Sequence, residues 1–305
     1  MMRPAKIEIV DVGPRDGLQN EKVILPPEAK IELIRRIAAS GVKRIEVASF
    51  VHPKRVPQMA NAETVIAGVQ DLPGVQLSAL ALNERGVDRA IDSPIHEVTF
   101  VVVASETFSQ RNQGATIRDT IAVWRNVSPR IKAAGLFRCV TIGAAFGCPF
   151  EGETPVGTVE DLAKAAADIG AEEIALADTI GVAAPHDIEL RFAAVAEVVP
   201  GIKLRAHLHN TRNTGYANAD AALRVGVAAL DSSTGGLGGC PFAPEATGNI
   251  ATEDLIYMLD RSCVTAGVDY GRAIETSLWL ERQIGRRLPA LGAHVARFPQ
   301  SGGCL

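Results

Sequence analysis

The sequence predicts a (β/α)8 barrel, and three observations point to it. Seven times, an amphipathic helical stretch ends at a glycine or proline and gives way to a short segment rich in Val, Ile, Leu and Ala. With an opening strand at Ile7–Asp11 this makes eight strands about 25–40 residues apart, the spacing of parallel strands joined by helical crossovers. The chain has 305 residues, 47% of them hydrophobic, enough for one such barrel, for which about 250 residues is typical.

Taken in order, the second strand is Arg44–Ala48 after Ser40-Gly41, the third Gln76–Ala81 after Pro73-Gly74, and the fourth Val98–Val103 after Ser93-Pro94. The fifth is Phe137–Ile142 after Ala134-Gly135, the sixth Glu173–Ala177 after Gly170, the seventh Lys203–His209 after Pro200-Gly201, and the eighth Ala228–Ser232 after Val225-Gly226. A glycine just past a helix supplies the left-handed cap residue, so each such junction stops a helix and starts a strand. The eighth helix is expected at Thr252–Asp260, a further helix at Tyr270–Gly285, and a tail at Arg287–Leu305. Residues 1–305 therefore read as a single TIM-barrel domain, the barrel at about 6–262 and a C-terminal helical extension at 263–305. A doubly wound sheet would want a G-x-G-x-x-G turn after its first strand, and Gly13-Pro14-Arg15-Asp16-Gly17 does not supply one.

A formal net charge of −4, from 31 basic and 35 acidic residues, leaves no electrostatic footprint for nucleic acid or an anionic membrane. No uninterrupted apolar run reaches the roughly 18 residues a membrane helix needs. Met1–Val10 passes straight into a strand pattern without signal or transit character, so a cytoplasmic protein is expected. The cysteines, Cys139, Cys148, Cys240, Cys263 and Cys304, are odd in number and scattered, which predicts reduced thiols.

A barrel of this class keeps its reactive groups where strands end and loops begin at the C-terminal face. Alternation on the seventh strand puts His207 and His209 on one side about 7 Å apart, close enough to converge on one ion, although a strand can also carry two histidines as a hydrogen-bonded core pair. Asp16 after the first strand and Asn249 after the eighth are candidate third and fourth ligands. Two imidazoles, a carboxylate and an amide oxygen suit Mg2+ or Mn2+, whereas Cys240 beside the histidines would make a catalytic Zn2+ site. Glu46, between Ile45 and Val47, is expected to point into the barrel, and Asp178-Thr-Ile-Gly181 follows the sixth strand. Arg15 is either half of a loop salt bridge with Asp16 or a fixed cation aimed at developing negative charge. Cys240 follows Gly235, Gly236, Gly238 and Gly239, a loop able to close with its thiol over a ligand or to cradle a phosphate.

Together, Val12-Gly-Pro-Arg-Asp-Gly-Leu-Gln-Asn-Glu-Lys22, Ser49–Val51 with Val56–Met59, Gly147–Gly152, Asp178–Val182, His207-x-His209, Gly236–Pro241, Ala246-x-Gly-Asn249 and Ala251–Leu255 resemble the 3-hydroxy-3-methylglutaryl-CoA lyase family. That family is a branch of the metal-dependent acyl-CoA lyases and synthases built on a TIM barrel. The resemblance covers nearly the whole chain in one order. It implies that Asp16, His207, His209 and Asn249 hold a divalent cation, Mg2+ or Mn2+ ahead of Zn2+ or Co2+. It further implies that Arg15 stabilises a thioester enolate, that Glu46 supports that region, and that Cys240 is an acid on a mobile loop. Gln19, Lys22, Asp178 and Arg212 join Arg15 as substrate-binding candidates, Lys22 toward the CoA phosphates. Asp16 or His207 takes the hydroxyl proton. The implied reaction is retro-Claisen cleavage of the acyl-CoA thioester to acetyl-CoA and acetoacetate, by a homodimer or larger homo-oligomer.

The departures from the family fall in the substrate shell. Thr141, Gly143 and Ala144 stand where the better-known lyases carry tyrosine, serine and cysteine, Ala175 stands for a serine, and Asn210-Thr-Arg-Asn213 replaces an Asp-Thr-Tyr-Gly run. A related substrate such as citramalyl-CoA, yielding acetyl-CoA and pyruvate, is therefore the alternative. Cys304 resembles the family's C-terminal cysteine, with a redox-regulatory role as its implied use, but without the peroxisomal Cys-Lys-Leu ending. Claisen-condensing synthases share the His-x-His strand but usually append a substantial C-terminal region. A binding barrel without catalysis would not be expected to keep the whole reactive set.

Overall fold

A computed structural model describes residues 3–239, 248–296 and 298. Eight parallel strands close into a barrel: β1 (Glu8–Asp11), β2 (Arg44–Ser49), β3 (Gln76–Ala81), β4 (Glu97–Val103), β5 (Phe137–Gly143), β6 (Glu173–Asp178), β7 (Lys203–Leu208) and β8 (Ala229–Ser232). Each strand pairs with its sequence neighbours, and β8 returns to β1 with Glu8 opposite Ala229 and Asp11 opposite Ser232. The junction glycines Gly41, Gly74, Gly135, Gly170, Gly201 and Gly226 all take positive φ, the conformation the sequence assigned them.

The helices lie between the strands: α1 (Pro27–Ala39), α2 (Ala62–Ala67), α3 (Glu84–Ile91), α4 (Glu106–Gln113), α5 (Ile117–Ala133), α6 (Val156–Asp168), α7 (Pro185–Val198), α8 (Gly215–Arg224) and α9 (Thr252–Arg261), followed by α10 (Tyr270–Ile284). The fourth crossover is split into α4 and α5, each started by a hydroxyl cap, Ser105 accepting from Phe108 N and Thr116 from Asp119 N. A two-stranded hairpin, Gly147–Cys148 against Gly152–Glu153, precedes α6. No helix among the described residues is long and apolar enough to cross a membrane.

Outward-facing strand residues such as Ile45, Val47, Val98 and Phe100 form the core with the helices, and Trp124 of α5 stacks on Phe100 at 5.4 Å. The inward face differs, because its lower layer is ionic. Arg44 makes paired contacts of 2.6–2.9 Å to Glu97 and Glu173, and Arg205 lies 3.4 Å from both carboxylates. Cys139 and Cys148 are buried free thiols. Cys263 is disulfide-bonded, which overturns the expectation of five reduced thiols. Cys240 and Cys304 lie outside the described residues.

Candidate metal centre at the barrel mouth

The loop after β1 folds into a tight helical turn, Gly13–Gly17, in which the amides of Arg15, Asp16 and Gly17 all donate to Val12 O. Gly17 permits it. A Cβ there would sit 2.6 Å from Ser233 Oγ on the loop after β8. The turn carries Arg15 and Asp16 over the barrel mouth, and alternation along β7 brings His207 and His209 to the same point.

The Nε2 atoms of the two histidines are 3.2 Å apart, and Asp16 Oδ2 lies 3.7 Å from His207 Nε2 and 3.9 Å from His209 Nε2. One ligand atom from each of the three residues lies within 4.8 Å of the others. Asn249 joins them because its segment leaves the barrel as an antiparallel bridge to His209. Its Nδ2 donates to Asp16 Oδ2 at 2.7 Å and to Leu237 O at 3.1 Å, so the carboxylate draws the donor end of the amide. Asn249 Oδ1 and His209 Nδ1 are buried without a hydrogen-bond partner among the described residues.

Arg15 is gripped from two sides, its Nε paired with Glu46 and its Nη1 donating to Asp16 Oδ1 at 2.6 Å. Glu46 points inward as its place between Ile45 and Val47 predicted. His207 Nδ1 meets Asp231 Oδ2 at 3.0 Å, and Asp231 Oδ1 faces Arg205 Nε at 3.3 Å. Sequence reasoning missed Asp231 and Arg205. The signal was present, since Arg205 and His207 share one face of β7 with His209 next in the same alternation just past its end, and Asp231 is an acid inside an apolar strand.

Burial alone would raise the Asp16 carboxyl, but the Arg15 guanidinium and the two imidazoles outweigh it and hold the group well below the usual range. For His207, burial works against protonation, yet the Asp231 hydrogen bond and the Asp16 charge lift it above its ordinary value. His209 lacks such backing, and burial together with the neighbouring His207 lowers it to about 4. Along the buried ion-pair chain from Arg15 to Arg44, three guanidiniums (Arg15, Arg44, Arg205) face five acidic side chains (Asp16, Glu46, Glu97, Glu173, Asp231), and at the mouth Asp16 and Glu46 share the single guanidinium of Arg15. A cation would offset the surplus of acid at the mouth, so Asp16 and the paired imidazoles fit the expected group, and the orphaned Asn249 Oδ1 would join them once the amide turns its oxygen toward Asp16.

A second cluster, Glu97, Cys139 and Glu173, is as compact, but Arg44 and Arg205 already neutralise its carboxylates, and burial pushes the Cys139 thiol well up. A cavity opens above the Asp16–His207–His209 group. Gln19, Asn20, Thr141, Gly143 and Gly239 line it, and Leu80, Leu82, Val101, Val103 and Phe108 form an apolar wall. Asp178 and Arg212 are not among its lining residues. Asp178 accepts from Val182 N and Ala183 N at 2.9 and 3.1 Å, while Arg212 Nη1 donates to the carbonyls of Ile180 and Gly181, so both brace the loop after β6. Lys22 is exposed outside the cavity.

The HMGL-like family matches residues 6–279. The (R)-citramalyl-CoA lyase of Chloroflexus aurantiacus is 42% identical over 96% of this chain and 96% of its own length. The hydroxymethylglutaryl-CoA lyase YngG of Bacillus subtilis is 37% identical over 97% of this chain and 99% of its own. A solved structure of the Bacillus subtilis HMG-CoA lyase superposes with a TM-score of 0.93 at 36% identity, covering 96% of this chain and 98% of that one.

Proposed function

The chain belongs to the HMGL-like family and is a lyase, and from that premise we propose that it cleaves 3-hydroxy-3-methylglutaryl-CoA to acetyl-CoA and acetoacetate by a metal-dependent retro-Claisen reaction. The observation that carries the reading is the convergence of Asp16, His207 and His209 beside a doubly anchored Arg15.

Asp16, His207, His209 and the Asn249 oxygen would hold the cation, and their mixed nitrogen and oxygen character suits Mg2+ or Mn2+ ahead of Zn2+ or Co2+. When bound, that cation supplies Lewis acidity that lowers the pKa of the substrate hydroxyl. Of the two candidate proton acceptors, Asp16 and His207, the Asp16 carboxylate is the one with oxygen lone pairs to spare, because His207 carries its proton on Nδ1 toward Asp231 and would give its Nε2 to the cation. As the proton leaves, the hydroxyl becomes the ketone of acetoacetate, and the electron pair of the breaking C–C bond passes to the thioester enolate. Arg15, held rigid by Glu46 and Asp16, meets the enolate oxygen, and a contact that strengthens with developing charge is what accelerates the step. Cys240, which follows the cavity-lining Gly239, returns a proton to the carbanion. Gln19 contacts the acyl portion, and Lys22 at the rim reaches toward the CoA phosphates. Asp178 and Arg212 shape the substrate site through the loop after β6.

One observation favours a second substrate, citramalyl-CoA. The relative that is 42% identical over almost the whole chain carries that activity in its name, and the cavity presents Thr141 and Gly143 where the sequence departs from the better-known lyases. The test is product analysis with both thioesters after chelation and after restoration of Mn2+. Acetoacetate from hydroxymethylglutaryl-CoA, lost with chelator and regained with Mn2+, is the expected result. Pyruvate from citramalyl-CoA with no acetoacetate would replace the first substrate by the second, and metal-independent turnover would overturn the mechanism.

A further inference from the structure

Asp11 is the last residue of β1, is fully buried, and does not line the cavity. Its two oxygens gather donors from three separate segments. Oδ1 accepts from Gly13 N at 2.8 Å and, at 3.5 Å, from Thr234 N, while Oδ2 accepts from Thr234 Oγ1 at 2.7 Å and Thr252 Oγ1 at 2.8 Å. Gly13 opens the turn that carries Arg15 and Asp16. Thr234 opens the segment that runs to Leu237, whose carbonyl holds Asn249 Nδ2, and to Gly239, whose carbonyl accepts from Asn20 Nδ2 at 2.7 Å. Thr252 begins α9, three residues after Asn249.

Among the described residues no basic side chain lies within ion-pair distance of Asp11, and burial pushes its carboxyl upward. A buried acid without a cationic partner is costly, and packing alone would be served as well by an apolar residue. What a carboxylate offers is acceptor capacity on both oxygens with no donor of its own, which an amide cannot match. Four donors from three segments use that capacity.

We infer that Asp11 is a positioning residue that sets the distance between Asp16 and Asn249, two ligands 233 residues apart in sequence, by tying the loops after β1 and β8 and the start of α9 to one carboxylate. The inference rests on the metal reading above and adds a residue outside the cavity to it. Without Asp11 the three segments remain folded onto the barrel through backbone pairs such as Val12 N to Ser232 O and Thr252 N to Ser233 O, but their separation is no longer fixed.

The test is Mn2+ affinity, measured by titration calorimetry without substrate on the full chain, alongside thermal unfolding of the same samples. Asp11→Ala, Thr234→Val and Thr252→Val are expected to weaken Mn2+ binding, by about tenfold or more for Asp11→Ala, the size of effect seen when outer-shell partners of ligands are removed. Thr234→Ser and Thr252→Ser, which keep the hydroxyl, are expected to bind like the wild type. If the variants unfold at lower temperature yet bind Mn2+ within twofold of wild type, Asp11 is structural only and the inference falls. Should Asp11→Ala fail to fold, the paired Val and Ser substitutions decide the matter alone. A wild-type chain that binds no Mn2+ would overturn the metal reading itself, an outcome distinct from equal binding by wild type and variants.

Discussion

Two histidines two residues apart on one strand are chemically identical in sequence and different in the folded chain. His207 has Asp231 behind its Nδ1 at 3.0 Å, which fixes the proton there and leaves the Nε2 lone pair facing Asp16 and His209. His209 has no such support, and its Nδ1 is an orphan among the described residues. The shifts follow, with His207 raised and His209 lowered to about 4. A proton on Nε2 excludes a cation, so a raised His207 means that acid competes with metal from a higher pH than an ordinary imidazole would allow. Mn2+ affinity is therefore expected to fall as pH drops through and below the ordinary histidine range of about 6.5. In Asp231→Asn the part of the upward push that comes from Asp231 is removed while that of Asp16 stays, so the fall is expected to begin at lower pH. Because an amide NH2 cannot fix the same tautomer, affinity at pH 8 is expected to drop by about tenfold to a hundredfold. Mn2+ titrations at a series of pH values in both proteins check this, and identical curves would show that Asp231 does not govern His207.

At the scale of elements, the candidate site depends on how closely the turn after β1 can approach the loop after β8. Gly17 sets that limit. Its missing side chain leaves room for Ser233 Oγ, which a Cβ would meet at 2.6 Å, and for Leu237 Cβ at 3.2 Å. Gly17→Ala is expected to push the turn and the loop apart, costing about 1–3 kcal/mol of stability as overpacking does. It should also cut acetyl-CoA release more than stability alone explains. Denaturant unfolding and turnover measured together decide it, and unchanged turnover in a destabilised protein would detach this contact from the site. The barrel itself was legible in the sequence because each short run of Val, Ile, Leu and Ala after the first follows a residue that stops a helix, and the glycines among those residues take the positive φ they were assigned. Other features were less plain. The hairpin at Gly147–Glu153 hid in a two-residue ladder too short to show alternation, and the split of the fourth crossover was signalled only by Ser105, Gly114 and Thr116. His209 was read as strand, yet β7 ends at Leu208, because His209 leaves the parallel ladder to bridge Asn249. Arg212 was read as a cation for substrate, and in the fold its Nη1 donates to two carbonyls of the neighbouring loop, a contact made by tertiary proximity that no local pattern displays.

Across the whole molecule, charge is stacked along the barrel axis instead of being confined to the mouth. Arg44, Glu97, Glu173 and Arg205 form the lower layer, Asp231 links it to His207, and Asp16 with Arg15 and Glu46 completes the upper one. Such an interior is stable only when each charge keeps its partner, since the desolvation cost has already been incurred. Arg44 is the strictest case, because its guanidinium spans both lower carboxylates at 2.6–2.9 Å whereas Arg205 stands back at 3.4 Å. Arg44→Met fills similar space but leaves Glu97 and Glu173 facing each other with only the distant Arg205 for compensation. It is expected to destabilise the chain by about 3–5 kcal/mol, the cost of stripping one partner from a buried pair. Adding Glu97→Gln to Arg44→Met removes one of the uncompensated charges and is expected to restore part of that loss. Such recovery distinguishes an electrostatic cause from poor packing of methionine. Urea unfolding of the single and double variants provides the measurement. An Arg44→Met protein as stable as wild type, or a double variant no better than the single, would mean that the lower carboxylates are protonated in the fold and that the axial stacking of charge does not stabilise the barrel.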